Sequence, residues 1–287
     1  MAMSPRLLRP LASGVHPEAA AWRSAVVANG GGTPSATTMR AVSKLCSDID
    51  KAGIRDRFFR MGIFAGPSLN AALVPLYRGQ SRTGTQYGNA TDTNNNFVSG
   101  DYSEVVGLNA NGSVGSSNKY LDTGLSPDDL PSIATGHFGV FADPLAHNNL
   151  SNQIPIGTRA AVALFRMRVR FDGTLDGAWS TSVSAVTTSA NTTNALYLTS
   201  RTSQNRLDVY IGTSSVANSI NSTATGSTGN DFVVFNERLA DGTVVSGGGF
   251  PGVISAYSIG SGMSGADITS YHAALTTFLA AIGRPTT

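Results

Sequence analysis

The sequence is poor in cysteine and lysine: its 287 residues include one cysteine, Cys46, and three lysines. A single cysteine excludes an intrachain disulfide and a cysteine-based metal cluster, and the apolar neighbours Val42 and Leu45 indicate a buried structural thiol. Nucleic-acid binding would need more basic residues with aromatic residues interleaved among them, and the three lysines argue against it.

Long apolar runs are also missing. No segment approaches the roughly 18–20 apolar residues of a membrane-spanning helix, so we expect no membrane insertion. Residues 1–14 lack the apolar core of a secretory signal peptide, and we therefore expect synthesis in the cytoplasm followed by assembly.

Charged residues are scarce as well, at 13% of the chain against about 25% in ordinary globular proteins. The polar surface must therefore come from Ser, Thr, Asn and Gly, which favours β-structure with many turns. The charges are also uneven. Residues 1–80 hold ten basic and four acidic residues, a net of +6, whereas 81–287 hold ten basic and fourteen acidic residues, a net of −4.

The sequence divides into a helical part and a β part. Residues 1–80 are predicted to form a helical module, with one helix after His16-Pro17 and a second helix capped by Thr33. Asp56–Phe64 is predicted to be helical or irregular. The polar, glycine-punctuated segment 81–96 is predicted to be a linker, and 97–287 a β-domain.

Strand patterns dominate after residue 97. The clearest is Phe165–Phe171, where apolar residues alternate with Arg166, Arg168 and Arg170, which places the three arginines on one sheet face. Further strands are predicted at Tyr120–Thr123, Phe138–Ala142, Leu196–Thr199, Leu207–Ile211, Phe232–Phe235 and Val253–Ile259. The chain ends in a predicted helix that a Ser264–Asp267 capping box opens and Gly283 ends.

Two motifs resemble those of a protein family. The run Asn96-Phe97-Val98-Ser99-Gly100-Asp101-Tyr102, with Gly107-Leu108 and Lys119–Thr123 after it, resembles the opening of the sandwich in phage and prophage virion proteins with a laminin-G/concanavalin-like fold. The strand 253–259 followed by Ser264–Ile268 resembles its ending. The resemblance implies a mainly β protein, an antiparallel jelly-roll sandwich with an N-terminal helical module and a C-terminal helix.

Patterns that carry catalysis or cofactor binding are weak. The four histidines lie far apart, and none has a nearby partner suited to metal binding: His16, His137, His147 and His272. The glycine-rich segment 247–252 precedes a predicted strand rather than a helix. It therefore lacks the helix N-terminus with which a phosphate-binding loop holds its ligand. We therefore expect a protein without enzymatic activity, metal or cofactor.

The β part offers two candidate contact sites. The arginine face of Arg166, Arg168 and Arg170 suits an acidic polysaccharide or an acidic neighbouring subunit, unless acids such as Asp208 pair with it across the strands. Asp176 with Trp179 suits sugar stacking, with Asp172 as a possible second carboxylate. The alternative is that the acids belong to turns and Trp179 to the core.

The resemblance also implies a function. We expect a non-enzymatic bacteriophage virion protein, a tail, fibre or capsid-surface component that contributes to host-surface adsorption. The alternatives are a purely architectural head-decoration or neck subunit and a tail-associated polysaccharide-degrading enzyme. Its partners would be other virion proteins, further copies of itself and a host-surface glycan, and the basic helical module would attach through Arg55, Arg57 and Arg60.

Overall fold

The computed structural model describes residues 14–111, 118–143, 153–159, 163–169, 174–181, 185–186, 194–219, 229–246 and 249–286. The helices in these ranges span Pro17–Ala28 (α1), Ala36–Lys51 (α2), Leu69–Ala72 (α3) and Gly265–Ala281 (α4). The strands are Phe58–Gly62 (β1), Thr93–Asn95 (β2), Tyr102–Ser103 (β3), Gly107–Asn109 (β4), Tyr120–Asp122 (β5), Gly136–Asp143 (β6), Gln153–Arg159 (β7), Leu164–Val169 (β8), Leu175–Thr181 (β9), Ala185–Val186 (β10), Ala195–Ser203 (β11), Arg206–Ile211 (β12), Ser214–Ser219 (β13), Val233–Val234 (β14) and Val253–Gly260 (β15). None of the described helices combines the length and the apolar character that crossing a bilayer requires.

The strands form two antiparallel sheets that face each other as a β-sandwich, which confirms the predicted fold class. Sheet A has the order β13-β12-β11-β6-β15-β4-β3, and β1 also pairs with β15. Sheet B has the order β10-β9-β8-β7-β14-β5-β2. Strands β1 and β4 pair with successive parts of one edge of β15, whose opposite edge pairs with β6.

Sheet A is apolar on both faces, which gives the protein three layers. In β6, Phe138 and Val140 point into the core between the sheets, while Phe141 points to the opposite face. There Phe141 belongs to a second core with Trp22 of α1 and Phe278 of α4. The helices therefore cover sheet A, and sheet A separates them from sheet B.

The ends of two helices follow their local sequence. The predicted capping box of α4 is confirmed, because Ser264 N–H donates to Asp267 Oδ2 at 2.9 Å and Asp267 N–H to Ser264 Oγ at 3.2 Å. The cap predicted for α2 is wrong by two residues. Ser35 caps the helix by accepting from Thr38 N–H at 3.0 Å, and the helix begins at Ala36 rather than after Thr33.

Residues 58–62 correct the prediction of a helical or irregular piece at Asp56–Phe64. They form β1, and all five are buried. A strand buried on both faces shows no polar alternation, so its sequence cannot be told from a short buried helix by periodicity. The strand adds the N-terminal part of the chain directly to sheet A.

The predicted linker 81–96 also contributes to the sandwich. Thr93–Asn95 is β2, which pairs with β5 at the edge of sheet B. Asp92 is buried, although the polar composition of this segment suggested nothing to bury. The division into 1–80, 81–96 and 97–287 as folding units stays a prediction, although β1 of the first range and β2 of the second are strands of the two sheets.

His137 at the start of β6 is fully buried under the helical layer. Its Nδ1 lies 2.7 Å from the Ser261 carbonyl and its Nε2 3.2 Å from Ser258 Oγ, and Phe58 packs edge-on against the ring. Burial lowers the pKa of His137 from 6.5 to about 4. The ring is therefore neutral in the folded protein at neutral pH.

This burial predicts a pH dependence of stability. Below about pH 6.5 His137 is protonated in the unfolded chain, whereas in the folded chain it stays neutral down to about pH 4. The free energy of unfolding should therefore fall by about 3 kcal/mol as the pH is lowered across this window. Urea unfolding of the protein and of His137→Gln at pH 7.5 and 4.5 isolates the ring. The variant should lose less stability on acidification, and equal losses would contradict the assignment.

A second prediction concerns α4. Phe278 is 1% exposed in the core between α4 and sheet A, so Phe278→Ala should lower the free energy of unfolding by about 3–5 kcal/mol through lost contacts and a cavity. Thr277→Ala, at an exposed position of the same helix, should change it by less than about 0.5 kcal/mol. Similar losses in the two variants, measured by urea unfolding, would mean that the helix does not seal the core.

Candidate functional site

Strand β8 places its arginines as the alternating pattern predicts. Phe165 and Met167 enter the core between the sheets, so Arg166 and Arg168 lie on the face of sheet B that points away from sheet A. Arg170 and Asp172 lie outside the described residues. The predicted arginine face is therefore formed by at least two of its three members.

Buried acids lie beside these arginines. Arg168 stands opposite Asp176 on β9, and its Nε donates to Asp176 Oδ2 at 2.7 Å. Arg166 Nη1 donates to Glu237 Oε1 at 3.4 Å, and Arg159 Nε lies 3.7 Å from Glu237 Oε2. The arginine face is thus paired with acids, and these acids are Asp176 and Glu237.

Asp208, the predicted partner, is not among them. Its Oδ2 instead accepts from Arg206 Nε at 2.8 Å on the same strand. The two residues sit at alternate positions of β12, so their side chains share a face of the strand and meet locally. Asp208 is therefore engaged within its own strand rather than across to β8.

The three arginines and two acids of this cluster nearly neutralise one another. Burial raises the pKa of Glu237, and the Arg166 and Arg159 guanidiniums oppose that rise. Among the described residues Asp176 Oδ1 has no hydrogen-bond partner, and Arg166 Nε lies 3.9 Å from it. The Arg159 side chain is 38% exposed and that of Arg168 19%, so these two offer the accessible positive charge.

Trp179 does not form a sugar-stacking surface. It is fully buried between the sheets, where it stacks with Phe138 at a ring separation of 5.7 Å and donates from Nε1 to the Ile133 carbonyl at 3.0 Å. A Cβ on Gly136 would lie 1.8 Å from the indole, so glycine is required there. The alternation of β9 explains the correction, because Trp179 points inward while Asp176, three residues earlier, points outward.

The three arginines predicted for attachment do not form one surface. Arg55 donates to Glu18 at 2.8 Å and lies 3.7 Å above the Tyr77 ring, with 14% of its side chain exposed. Arg57 is 40% exposed and lies 3.7 Å from Asp267 Oδ2. Arg60 has no exposed side-chain surface. Contact with a partner through Arg57 stays a prediction, whereas Arg60 has an internal role.

Arg60 joins three distant segments. Its Nη2 donates to Asp92 Oδ1 at 2.6 Å, and its Nε to the Tyr257 hydroxyl at 3.0 Å. Its Nη1 donates to the carbonyls of Tyr87 and Asn89, each at 3.0 Å. The Tyr257 hydroxyl in turn donates to Asp92 at 2.8 Å. The guanidinium thus fastens β1 to the 87–92 segment and to β15.

One group of side chains has the composition of a metal site. Donor atoms of His16, Glu18 and Cys46 all lie within 4.8 Å of one another. Glu18 is already neutralised by Arg55, whose Nη2 lies 2.7 Å from Oε1, and His16 Nε2 lies 2.9 Å from Asp50 Oδ2. Burial raises the pKa of the Cys46 thiol to about 12, so it is protonated at neutral pH. The set fits an ion-paired cap of α1 better than a divalent cation.

The run that carries the family resemblance forms a seam between the sheets. Asp101 accepts from Lys119 Nζ at 2.7 Å, from Asn111 Nδ2 at 3.1 Å and from Val98 N–H at 2.8 Å. Asp101 directly precedes β3 of sheet A, and Lys119 directly precedes β5 of sheet B. The ion pair therefore ties one sheet to the other.

Several of the residues that matter here left no signal in the sequence. Glu237 lies 71 positions from Arg166, and Asp92 lies 32 positions from Arg60. Neither acid belongs to a periodic pattern, and Asp92 stands in a segment of turn-forming residues. A buried arginine in the otherwise apolar strand Phe58–Gly62 is the one available clue, because such a charge needs a buried partner.

The buried pair predicts different outcomes for two neighbouring arginines. Arg60→Met would leave Asp92 buried without its cation, and it should lower the free energy of unfolding by about 3–5 kcal/mol. Arg57→Met, at a partly exposed ion pair, should cost less than about 1 kcal/mol. Adding Asp92→Asn to Arg60→Met should recover part of the loss. Urea unfolding checks all three, and equal costs for the two single variants would contradict the pairing.

Comparison with known proteins assigns neither a family nor a function to this chain. No protein-family model and no curated protein matches the chain. Among solved structures, the CBM40 of a Ruminococcus gnavus IT-sialidase bound to α2,3-sialyllactose is similar at 11% identity and a TM-score of 0.38, over 52% of this chain and 91% of that one. A Trypanosoma rangeli sialidase is similar at 7% identity and a TM-score of 0.46, over 82% of this chain and 39% of that one. These likenesses are too distant to transfer a ligand or an activity to this chain.

Proposed function

We propose that this chain is a non-enzymatic structural protein of a bacteriophage virion, displayed on a tail, a fibre or the capsid surface, and that it contributes to host-surface adsorption. The observation that carries the proposal is the seam made by the run that resembles phage virion proteins. Asp101 and Lys119, both in that run, form the ion pair that joins the sheets. The resemblance therefore falls on residues that hold the sandwich together.

The second resembling motif also lies at a structural junction. Strand β15 ends at Gly260, and the Ser264–Asp267 capping box then starts α4, which covers sheet A. The sandwich of this chain thus opens and closes with motifs that resemble those of the virion proteins, which supports the proposed relationship.

The distribution of charge suits a displayed structural protein. Only 13% of the residues are charged, and the buried acids Asp92, Asp176 and Glu237 each face an arginine inside the fold. The β part is rich in hydroxyl and amide side chains, which suit it to face solvent without aggregating. These features support a role in architecture and surface contact rather than chemistry.

A purely architectural role, as a head-decoration or neck subunit, is the second candidate. The outward side of α1 favours the architectural role. Val27 is 49% exposed on that side among alanines, and such an apolar surface suits contact with another protein. A polysaccharide-degrading tail enzyme would need accessible carboxylates. Asp176 and Glu237 are buried against arginines and give that alternative no support.

The virion role predicts that the protein is a stoichiometric part of particles. Particles of the phage or induced prophage that encodes the chain should be purified on a density gradient and analysed by quantitative mass spectrometry. Peptides of the chain should keep a constant ratio to the major capsid protein across the particle fractions. Recovery in the soluble fraction alone would refute the virion role.

Adsorption separates the two candidates within that role. If the protein contacts the host, purified full-length chain at micromolar concentration should slow adsorption of the intact phage by occupying the host sites. Heat-unfolded chain is the matched control. If the chain is part of the particle but the added purified chain leaves the adsorption rate unchanged, the architectural subunit is favoured.

A further inference from the structure

Helix α1 carries apolar residues on both sides, with Arg23 and Ser24 also exposed on the outward side. Ala19, Trp22 and Val26 face the core shared with α2 and sheet A, and all are buried. The opposite side presents Ala20, Val27 and further alanines to solvent. Helices that are hydrophobic all round are normally covered all round. The outward side of α1 therefore lacks a cover within the described structure.

A groove runs between α1 and α2 beside this side. It encloses about 780 Å³, and its floor is formed by apolar residues of both helices and of the segments next to them: Val15, Ala20, Val27, Pro34 and Met39. Val15 and Val27 are 48% and 49% exposed, the highest values for large apolar residues on the helical layer. A second depression of about 560 Å³ shares Val15 and Met39 and continues along α2. Together they form a trough along the helix pair.

The rim of the trough is basic. Arg23 stands on its α1 side, and Arg40, Lys44 and Lys51 follow along α2. Asp48 lies 2.6 Å from Lys44 and 4.0 Å from Lys51 and is the acid on this rim. In the part of the chain that the structure describes, no carboxylate lies within ion-pair distance of Arg23 or Arg40. The floor thus favours an apolar ligand surface, and the rim favours negative charge beside it.

We infer that this trough is the docking site for an amphipathic helix of a partner protein, with its apolar side on Val27 and Met39 and acidic residues toward Arg23 and Arg40. Helices laid into apolar grooves are a recurring mode of recognition, anchored at positions i, i+3 or i+4 and i+7. Since α2 has 16 residues, a partner helix of about the same length, roughly 24 Å, would fill the trough. The inference rests on this surface alone and holds whether or not the partner belongs to a virion.

Charge argues against the two other occupants that this chain could supply. A second copy docked through the same groove would bring Arg23 and Arg40 of one protomer toward those of the other, which is repulsive. Residues 1–13 contain Arg6 and Arg9 and no acid, so they would add positive charge to a positive rim. An acidic partner helix relieves the repulsion that both of these would increase.

The test uses two synthetic 16-residue amphipathic helices with the same leucines, one with glutamates on its polar side and one with lysines. Fluorescence anisotropy with the full-length chain should show that the glutamate peptide binds at least about tenfold more tightly, with a preference that shrinks as salt is raised. Val27→Asp should weaken binding at least about tenfold, because a charge would enter the apolar floor. Val216→Asp, at an exposed valine of β13, is the matched control and should have no effect.

Charge reversal on the rim gives the sharper result. Arg23→Glu with Arg40→Glu should reverse the preference, so that the lysine peptide binds more tightly. Arg82→Glu, at an exposed position outside the trough, should leave it unchanged. Because all of these side chains are exposed, circular dichroism should show every variant folded.

Any of four results would overturn the inference. The first is equal binding of both peptides, and the second is binding that Val27→Asp leaves intact. Another is self-association of the protein in light scattering that Val27→Asp abolishes, which would make a second copy the occupant. The last is an increase of about tenfold in affinity for the glutamate peptide on Leu7→Asp with Leu8→Asp, which would make the chain's own first residues the occupant.

Discussion

The ion pair between Arg60 and Asp92 is the interaction on which the rest of the structure depends. Both side chains are removed from water, which costs several kcal/mol per charge unless the partner and further hydrogen bonds replace it. Here Tyr257 and two backbone carbonyls complete the shell of the guanidinium. Because Arg60 belongs to β1 and Tyr257 to β15, this network is complete only when the N-terminal strand is part of sheet A.

That constraint fixes how the protein presents its surfaces. With β1 held in sheet A, α1 and α2 pack beside α4 on one side of the sandwich, and they form the walls of the trough. The arginines of β8 lie on the opposite side of the sandwich, where Asp176 and Glu237 neutralise most of their charge. A partner that binds the helices would leave the far sheet accessible to a second contact. This arrangement suits the proposed role, in which the protein attaches at one side and is displayed at the other.

The sequence predicts those features that a local pattern encodes. The alternation around Phe165 predicts the strand and the outward arginines, and Ser264 with its downstream acid predicts the start of α4. The strand at Phe58 escapes prediction because full burial erases alternation. The role of Arg60 escapes for another reason, since its partners lie 32 and 197 positions away and only the fold brings them together. Trp179 shows a third limit, because a tryptophan beside an acid has the same local sequence in a core as in a sugar site.

The central claim is that the N-terminal strand and the sandwich form one cooperative unit through Arg60. Native-state hydrogen exchange measured by mass spectrometry tests it most directly, because it reports the opening free energy of each segment. The account predicts that amides of Phe58–Gly62 and of Val253–Gly260 exchange with the same free energy, equal to that of global unfolding. Exchange of Phe58–Gly62 at a much lower free energy, with Val253–Gly260 still fully protected, would contradict it and would favour a separable helical module.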